Sequence, residues 1–172
     1  MKADLLIAGG GLGGCAAAMT ACSKGVKVIM TEEPDWIGGQ VTSQGGPPDE
    51  HRWIEEFGCT KRYRDYREKV RETYLNTMEV KEYGKVLNPG NGLVSNICHD
   101  PRVTLHVLNE MLLPYKLTGQ LVILHHTKVS SVQKEGSRVQ KITLVDEKTG
   151  FNQEIEAPFY IDSTEAGDIL PL

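Results

Sequence analysis

The sequence predicts an α/β fold: a parallel sheet opened by a strand–helix–strand unit, a helical insertion, and a three-stranded antiparallel meander near the end. Three observations carry that prediction. Residues 4–8 form a short apolar run that ends in a glycine cluster and passes straight into a stretch of small residues. Residues 61–77 place Tyr63, Tyr66, Val70 and Tyr74 at helical spacing. From Lys128 onward, apolar and polar residues alternate or nearly so in three stretches separated by turn residues. With 172 residues, 40% of them hydrophobic, the chain suits one domain with a real core.

The run at 4–8 reads as a strand buried on both faces. Gly9, Gly11 and Gly14 then satisfy G-x-G-x-x-G. Residues 12–24 read as a helix closed by Gly25, residues 26–31 as a second strand, and Glu32 stands at its end. This is the order of a Rossmann-like dinucleotide site, and each piece has a physical task. Gly9 makes the strand-to-helix turn, Gly11 lets backbone approach a diphosphate, and Gly14 lets the helix pack close to the sheet. Leu12, Gly13 and Gly14 open the helix, whose unpaired N–H groups and positive dipole end favour an anion. Glu32, with Glu33 beside it, is placed to accept hydrogen bonds from ribose hydroxyls and to repel a 2′-phosphate, which disfavours NADP. Lys2, residues 5–8 and Leu12-Gly13-Gly14-Cys15 also resemble a short leader with a lipoprotein-type box. Asp4, the shortness of the apolar stretch and the glycines weigh against that reading.

Residues 47–100 read as a helical insertion between halves of the nucleotide fold. Pro47-Pro48 breaks the chain, residues 53–57 are a short helical candidate, and residues 61–77 are a long one. The basic run in the latter (Lys61, Arg62, Arg64, Arg67, Lys69, Arg71) is interleaved with Asp65, Glu68 and Glu72, so a solvated face with i,i+4 pairs is expected. Residues 88–92 are a loop on turn chemistry. Asp100-Pro101 starts a helix with a cap residue and a proline, and Leu105, Leu108, Met111 and Leu112 give it an apolar face. Pro114 is expected to end or kink that helix, and Gly119 closes the segment. Residues 121–124 read as a buried strand, about 127–157 as the meander, and 160–162 as a strand running into a polar loop.

The motif at Gly9–Gly14 fits NAD or FAD. The Gly38-Gly39 doublet and the late strand–loop at residues 160–168, which could serve the same cofactor, favour the flavin. With these residues in place, the chain resembles the FAD-dependent oxidoreductases with a glutathione-reductase-type FAD domain. The resemblance rests on Gly9 to Gly14 with Glu32, on Ile37-Gly38-Gly39-Gln40-Val41-Thr42, on Cys98-His99-Asp100-Pro101-Arg102, and on residues 162–170. It implies that Gly9, Gly11 and Gly14 carry the diphosphate and that Glu32 holds the adenosine ribose. The segment from Gly38 to Thr42 passes alongside the cofactor, backbone near Val129 touches the adenine, and Thr164 and Gly167 belong to a further cofactor loop. It also implies that the meander crosses over between strands of the parallel sheet, where an NAD domain would have a helix. Many relatives have Ala-Thr-Gly where this chain has Ser163-Thr164-Glu165, so a cofactor contact at Glu165 is not expected. The chain stops at Leu172, just after this loop, and reads as the N-terminal part of an FAD-binding domain incomplete at its C-terminus.

Flavin enzymes do their redox work on the cofactor, so no nucleophile triad is expected and the sequence offers none. Cys98-His99 beside a helix start is a candidate redox pair, with a buried thiol and a hydrogen-bonded histidine as the structural alternative. Gln40, Thr42, Gln44 and Arg102 are candidates for the flavin's reactive end, without named roles. His125-His126 lies on a predicted strand, where neighbours face opposite ways, so no metal site is expected. Cys15 and Cys22 read as small core residues. A net charge of −4 argues against a nucleic-acid partner. No apolar run reaches the roughly 20 residues that span a bilayer, and nothing in the sequence sets an oligomeric state. Four cysteines without a C-x-x-C pair suit reduced thiols in the cytoplasm. The expected function is FAD-dependent oxidation or reduction of a small molecule. The alternatives are a non-catalytic nucleotide-binding module and an NAD-binding dehydrogenase domain.

Overall fold

The computed structural model describes residues 2–81 and 84–172. They form two compact units, Met1–Gly39 with Met111–Leu172, and Gln40–Glu110.

The first unit is built on a parallel sheet of four strands in the order β3-β2-β1-β7. Here β1 is Leu5–Ala8, β2 is Val28–Glu32, β3 is Leu121–His125 and β7 is Phe159–Asp162. The central pair reads as apolar runs because both its faces are covered: every residue of β1 and β2 is buried. Leu5 pairs with Val28 on one side and with Phe159 on the other. Helix α1 (Leu12–Cys22) follows β1 and buries Cys15, Ala18, Met19 and Cys22. It ends two residues short of the predicted boundary, and Gly25 takes a left-handed φ of +83° just beyond it.

The alternating segments form the second sheet as predicted, with β4 (Thr127–Glu135), β5 (Arg138–Asp146) and β6 (Asn152–Ile155) antiparallel in that order. Alternation gives this sheet one apolar face. Ile142, Leu144 and Ile155 from it pack with Leu6 and Ile29 of the parallel sheet into one buried cluster. Ile7 and Met30, next along their strands, point to the opposite face. The meander connects β3 to β7, which pairs with β1 and not with β3.

In the second unit, α2 spans Gln40–Ser43 and α3 spans Lys61–Thr77. Thr60 caps α3 by accepting a hydrogen bond from the Tyr63 N–H at 3.2 Å. Helix α4 (Pro101–Leu117) starts at the predicted cap: the Arg102 N–H donates to Asp100 Oδ1 at 2.8 Å. The boundary between the units falls within α4. No helix of the described residues is long and apolar enough to cross a membrane.

Four expectations need correction. Pro114 does not end α4, which runs on to Leu117. The chain leaves helical geometry only near Gly119, at φ +72°. β3 is not buried on both faces, because it is an edge strand, and Val122 is exposed. Residues 53–57 form successive turns rather than an α-helix, with Trp53 and Phe57 stacked at 6.1 Å.

The fourth concerns the basic run of α3, which is not simply a solvated face. Lys61 and Asp65 make an i,i+4 pair, but Arg67 is buried and bridges Glu50 and Glu55, while Arg71 also pairs with Glu55. Tyr63 donates to Glu50 at 2.6 Å, and Ser95 donates to the same carboxylate. Burial alone would raise the Glu55 pKa, but the hydrogen bond from Arg71 and the charges of Arg67 and Arg71 outweigh it and hold the carboxyl below its ordinary range. Arg67 lies on the buried stripe of α3 with Tyr66 and Val70, so its charge had to be matched from other segments.

Candidate dinucleotide-binding crevice

Three strands of the parallel sheet end side by side: β1 at Ala8, β2 at Glu32 and β7 at Asp162. The loops leaving those ends enclose a crevice of about 470 Å³. The carboxyl edge of an open parallel sheet is where such folds bind ligands, because the loops there are free to vary on a rigid base.

The floor of the crevice is backbone. Gly9 sits at φ +93°, and a Cβ there would lie 2.5 Å from the Ser163 carbonyl oxygen, so only glycine lets β1 turn against the exit of β7. Its N–H donates to Thr31 Oγ1 at 3.2 Å. At Gly14 a Cβ would fall 2.1 Å from the Gly9 carbonyl oxygen, which sets how closely α1 approaches the turn. The N-cap of α1 is Gly11, and no side chain caps the first turn. Gly11 also lines the crevice, so the positive end of the helix opens on it. The Gly38 N–H donates to the Gly10 carbonyl at 2.8 Å and ties the glycine doublet to this floor.

Glu32 closes one end. It is 8% exposed, and its Oε1 accepts the Glu33 N–H at 3.0 Å. Burial pushes its pKa up to about 6 against the opposing backbone hydrogen bonds from Glu33 and Gly10, and the charges of Glu33 and Glu165 add to the rise. The loop after β7 makes the facing wall and is organised by Asp162. Its Oδ1 accepts the Thr164 N–H at 3.1 Å and the Thr164 hydroxyl at 2.6 Å, while its Oδ2 accepts the Ile169 N–H at 3.0 Å. Thr164 Oγ1 in turn accepts the Asp168 N–H at 2.8 Å. Lys128 and Val129, at the start of β4, complete the lining with Pro34.

Of the residues singled out from sequence, Gly9, Gly11, Glu32, Glu33, Gly39, Val129 and Thr164 line this one crevice. Leu12, Gly13 and Gly14 form the first turn of α1, Gly38 is bonded to Gly10, and Gly167 makes a turn at φ +71° within the loop after β7. Gln40 and Thr42 lie in α2 of the second unit and are not among the crevice's lining residues. Sequence reasoning did not single out Gly10, Thr31, Pro34, Lys128, Ser163, Ala166 and Asp168 for the site, and it expected nothing of Glu165; all eight line the crevice. Ser163 carried a readable signal, since it directly follows the strand that a buried β1 needs as its second neighbour.

The other candidates fall elsewhere. Cys98 is buried in the second unit against Gly92 and donates to the Ser95 carbonyl at 3.4 Å. His99 is buried there too, hydrogen bonded to Ile97 O, Thr104 and Tyr66, with its pKa lowered chiefly by burial. His126 is not on a strand: it takes φ +54° between β3 and β4 and sits 2.8 Å from Asp35. Among the described residues, no three His, Cys, Asp or Glu side chains come together as a metal site. Burial, reinforced by the nearby Glu32 charge, pushes the Cys15 thiol up to about 12. Iodoacetamide at pH 8 is therefore expected to label half-buried Cys59 in the native protein and Cys15 only after denaturation, as read by mass spectrometry of tryptic peptides. Equal labelling of the two in native protein would contradict this packing.

The sequence pattern of FAD dependent oxidoreductases matches residues 4–172. A 4-oxocyclohex-2-ene-1-carboxylate 5-dehydrogenase of Sinomonas cyclohexanicum is 34% identical over 80 residues, which are 46% of this chain and 13% of that protein. A flavoprotein/dehydrogenase from Cytophaga hutchinsonii superposes with a TM-score of 0.62 at 18% identity, over 99% of this chain and 41% of the other. The glycerol-3-phosphate dehydrogenase of Bacillus halodurans, solved in complex with FAD, superposes with a TM-score of 0.57 at 16% identity, over 95% of this chain and 34% of its own. These structural likenesses are likenesses of fold. The chain thus spans under half the length of each of these proteins.

Proposed function

This chain belongs to the FAD dependent oxidoreductase family, and from that premise we propose that it forms the FAD-binding part of a protein that oxidises or reduces a small molecule. One observation carries the reading: a helix N-terminus without a side-chain cap opens on a crevice closed by a buried carboxylate, at the carboxyl edge of a parallel sheet. The amides of Gly11, Leu12, Gly13 and Gly14 hold the diphosphate, with Gly9 supplying the turn. Glu32, positioned by the Glu33 N–H, accepts hydrogen bonds from the adenosine ribose. The backbone at Val129 meets the adenine. Gly38, Gly39, Gln40 and Thr42 follow the cofactor toward its flavin end, and Thr164 and Gly167 shape the opposite wall. The flavin supplies the electron-transfer chemistry; these residues bind it, orient it and keep water from its polar groups.

The unit Gln40–Glu110 is in this reading an insertion into the nucleotide fold, centred on residues 47–100. A three-stranded sheet at residues 127–155, where an NAD domain would carry a helix, favours FAD over NAD. The acidic net charge speaks against a nucleic-acid partner, and four free thiols suit a cytoplasmic setting.

Purified protein should be yellow and release FAD on denaturation, and colourless protein should take up added FAD with quenching of its fluorescence. Protein that binds NAD in preference to FAD would overturn the assignment. The raised pKa of Glu32 fixes a pH dependence. Its acceptor charge is half developed at about pH 6, the value of its raised pKa, and is lost as the carboxyl takes up a proton below it. ADP affinity measured by titration calorimetry is therefore expected to fall between pH 7.5 and pH 5. Glu32→Gln should weaken ADP about tenfold to a hundredfold at pH 7.5, the scale of lost charge-assisted hydrogen bonds, and flatten the pH dependence.

A further inference from the structure

The crevice is unevenly charged for a site that receives an anion. Its described lining carries Glu32, Glu33, Glu165 and Asp168 against the cation of Lys128, and Lys128 is already paired with Glu147. Glu32 and Glu165 both reach the glycine floor, Glu32 at Gly10 and Glu165 at Gly39. The Glu165 Oε1 lies 3.1 Å from the point where a Gly39 Cβ would stand, and the Gly11 Cα lies 3.2 Å from that same point. The carboxylate therefore lies against Gly39 and within about 6 Å of the Gly11 backbone that opens α1. Two further facts show that this placement belongs to the fold. Asp162 pins the loop on both sides of Glu165 through Thr164 and Ile169, and the charge of Glu165 is felt at Glu32 across the crevice.

We propose that Glu165 is an internal anion that occupies the diphosphate position over Gly11 and Gly39, so that the cofactor must displace its carboxylate to bind. This rests on the reading of the crevice as the diphosphate site. Like charges a few ångströms apart repel strongly in a partly enclosed crevice, but Glu165 is on an exposed loop, so its carboxylate can swing toward water at modest cost. Its effect is thus a tuning of affinity, specific to ligands that carry phosphate.

The test compares ADP with adenosine, which shares the base and ribose but has no phosphate. Binding of each to the full chain is measured by calorimetry for wild type, Glu165→Gln and Glu165→Ala. Both variants are expected to bind ADP about threefold to thirtyfold more tightly, with adenosine unchanged, and the gain should shrink in 1 M salt, where charges are screened within about 3 Å. The ratio of ADP to adenosine affinity does not depend on the fraction of protein folded, so a variant of lower stability still tests the role of the carboxylate. If wild type binds ADP and the ratio is unmoved or falls in the variants, the role of Glu165 is refuted while the crevice assignment stands. If no protein in the series binds ADP or FAD, the crevice assignment fails and the role of Glu165 with it.

Discussion

Replacing Arg67 by methionine is expected to remove about 3–5 kcal/mol from the stability of the Gln40–Glu110 unit, the usual cost of leaving a buried charge without its partner. Methionine fills most of the space of the aliphatic stem, so the loss is electrostatic. The Glu50 side chain is only 3% exposed. Without the guanidinium it keeps the hydroxyl donors of Tyr63 and Ser95 but no positive charge. Arg67→Lys should recover part of the loss, because an ammonium restores charge but cannot bridge Glu50 and Glu55 with one planar fork. Urea unfolding followed through Trp53, in a Trp36→Phe background, reports on this unit. A Met variant within 1 kcal/mol of its parent at pH 7 would show that Arg67 is not the keystone of the cluster.

Gly14→Ala is expected to cost about 3 kcal/mol and, for a chain of this size, to lower Tm by roughly 6–12 °C. The added carbon would fall 2.1 Å from the Gly9 carbonyl oxygen and 3.2 Å from Ser163 Oγ, so either α1 retreats from the sheet or the Gly9 turn opens. Either movement disturbs the amides proposed to receive the diphosphate, and FAD or ADP affinity should fall by more than tenfold. Gly13→Ala is the matched control. There the nearest atom is Ser163 Oγ at 3.4 Å, an ordinary contact, and helix propensity gains up to about 1 kcal/mol. If calorimetric scans place the two variants at the same Tm, close packing at Gly14 is not what the motif requires.

Local patterns are legible in the sequence and long-range juxtapositions are not. The strand, turn and helix at residues 5–22 follow from apolar runs, glycine spacing and small residues that lie within one stretch of chain. The meander follows from alternation for the same reason. Lys128 and Asp168 reach the crevice only because β7 pairs with β1 and β4 starts beside β2, and no spacing encodes that register. Glu165 is hidden because the family resemblance implies a glycine at its position, which says nothing of where a longer side chain reaches. Arg67 is a different kind of miss. It stands one turn from Tyr63 and from Val70, on the apolar stripe of α3, and the pattern already marks it as inward-facing.

The pairing of Leu5 with both Val28 and Phe159 bears on the order in which this protein acquires its shape. A strand whose two neighbours are made at opposite times cannot finish folding when its own turn on the ribosome comes. Until residues 159–163 emerge, one flank of the first strand is bare and the glycine turn lacks the carbonyl it packs against. Such distant closures are slow, because a long loop must be ordered before any contact rewards it. The crevice walls therefore come together only after residues 159–168 have been made.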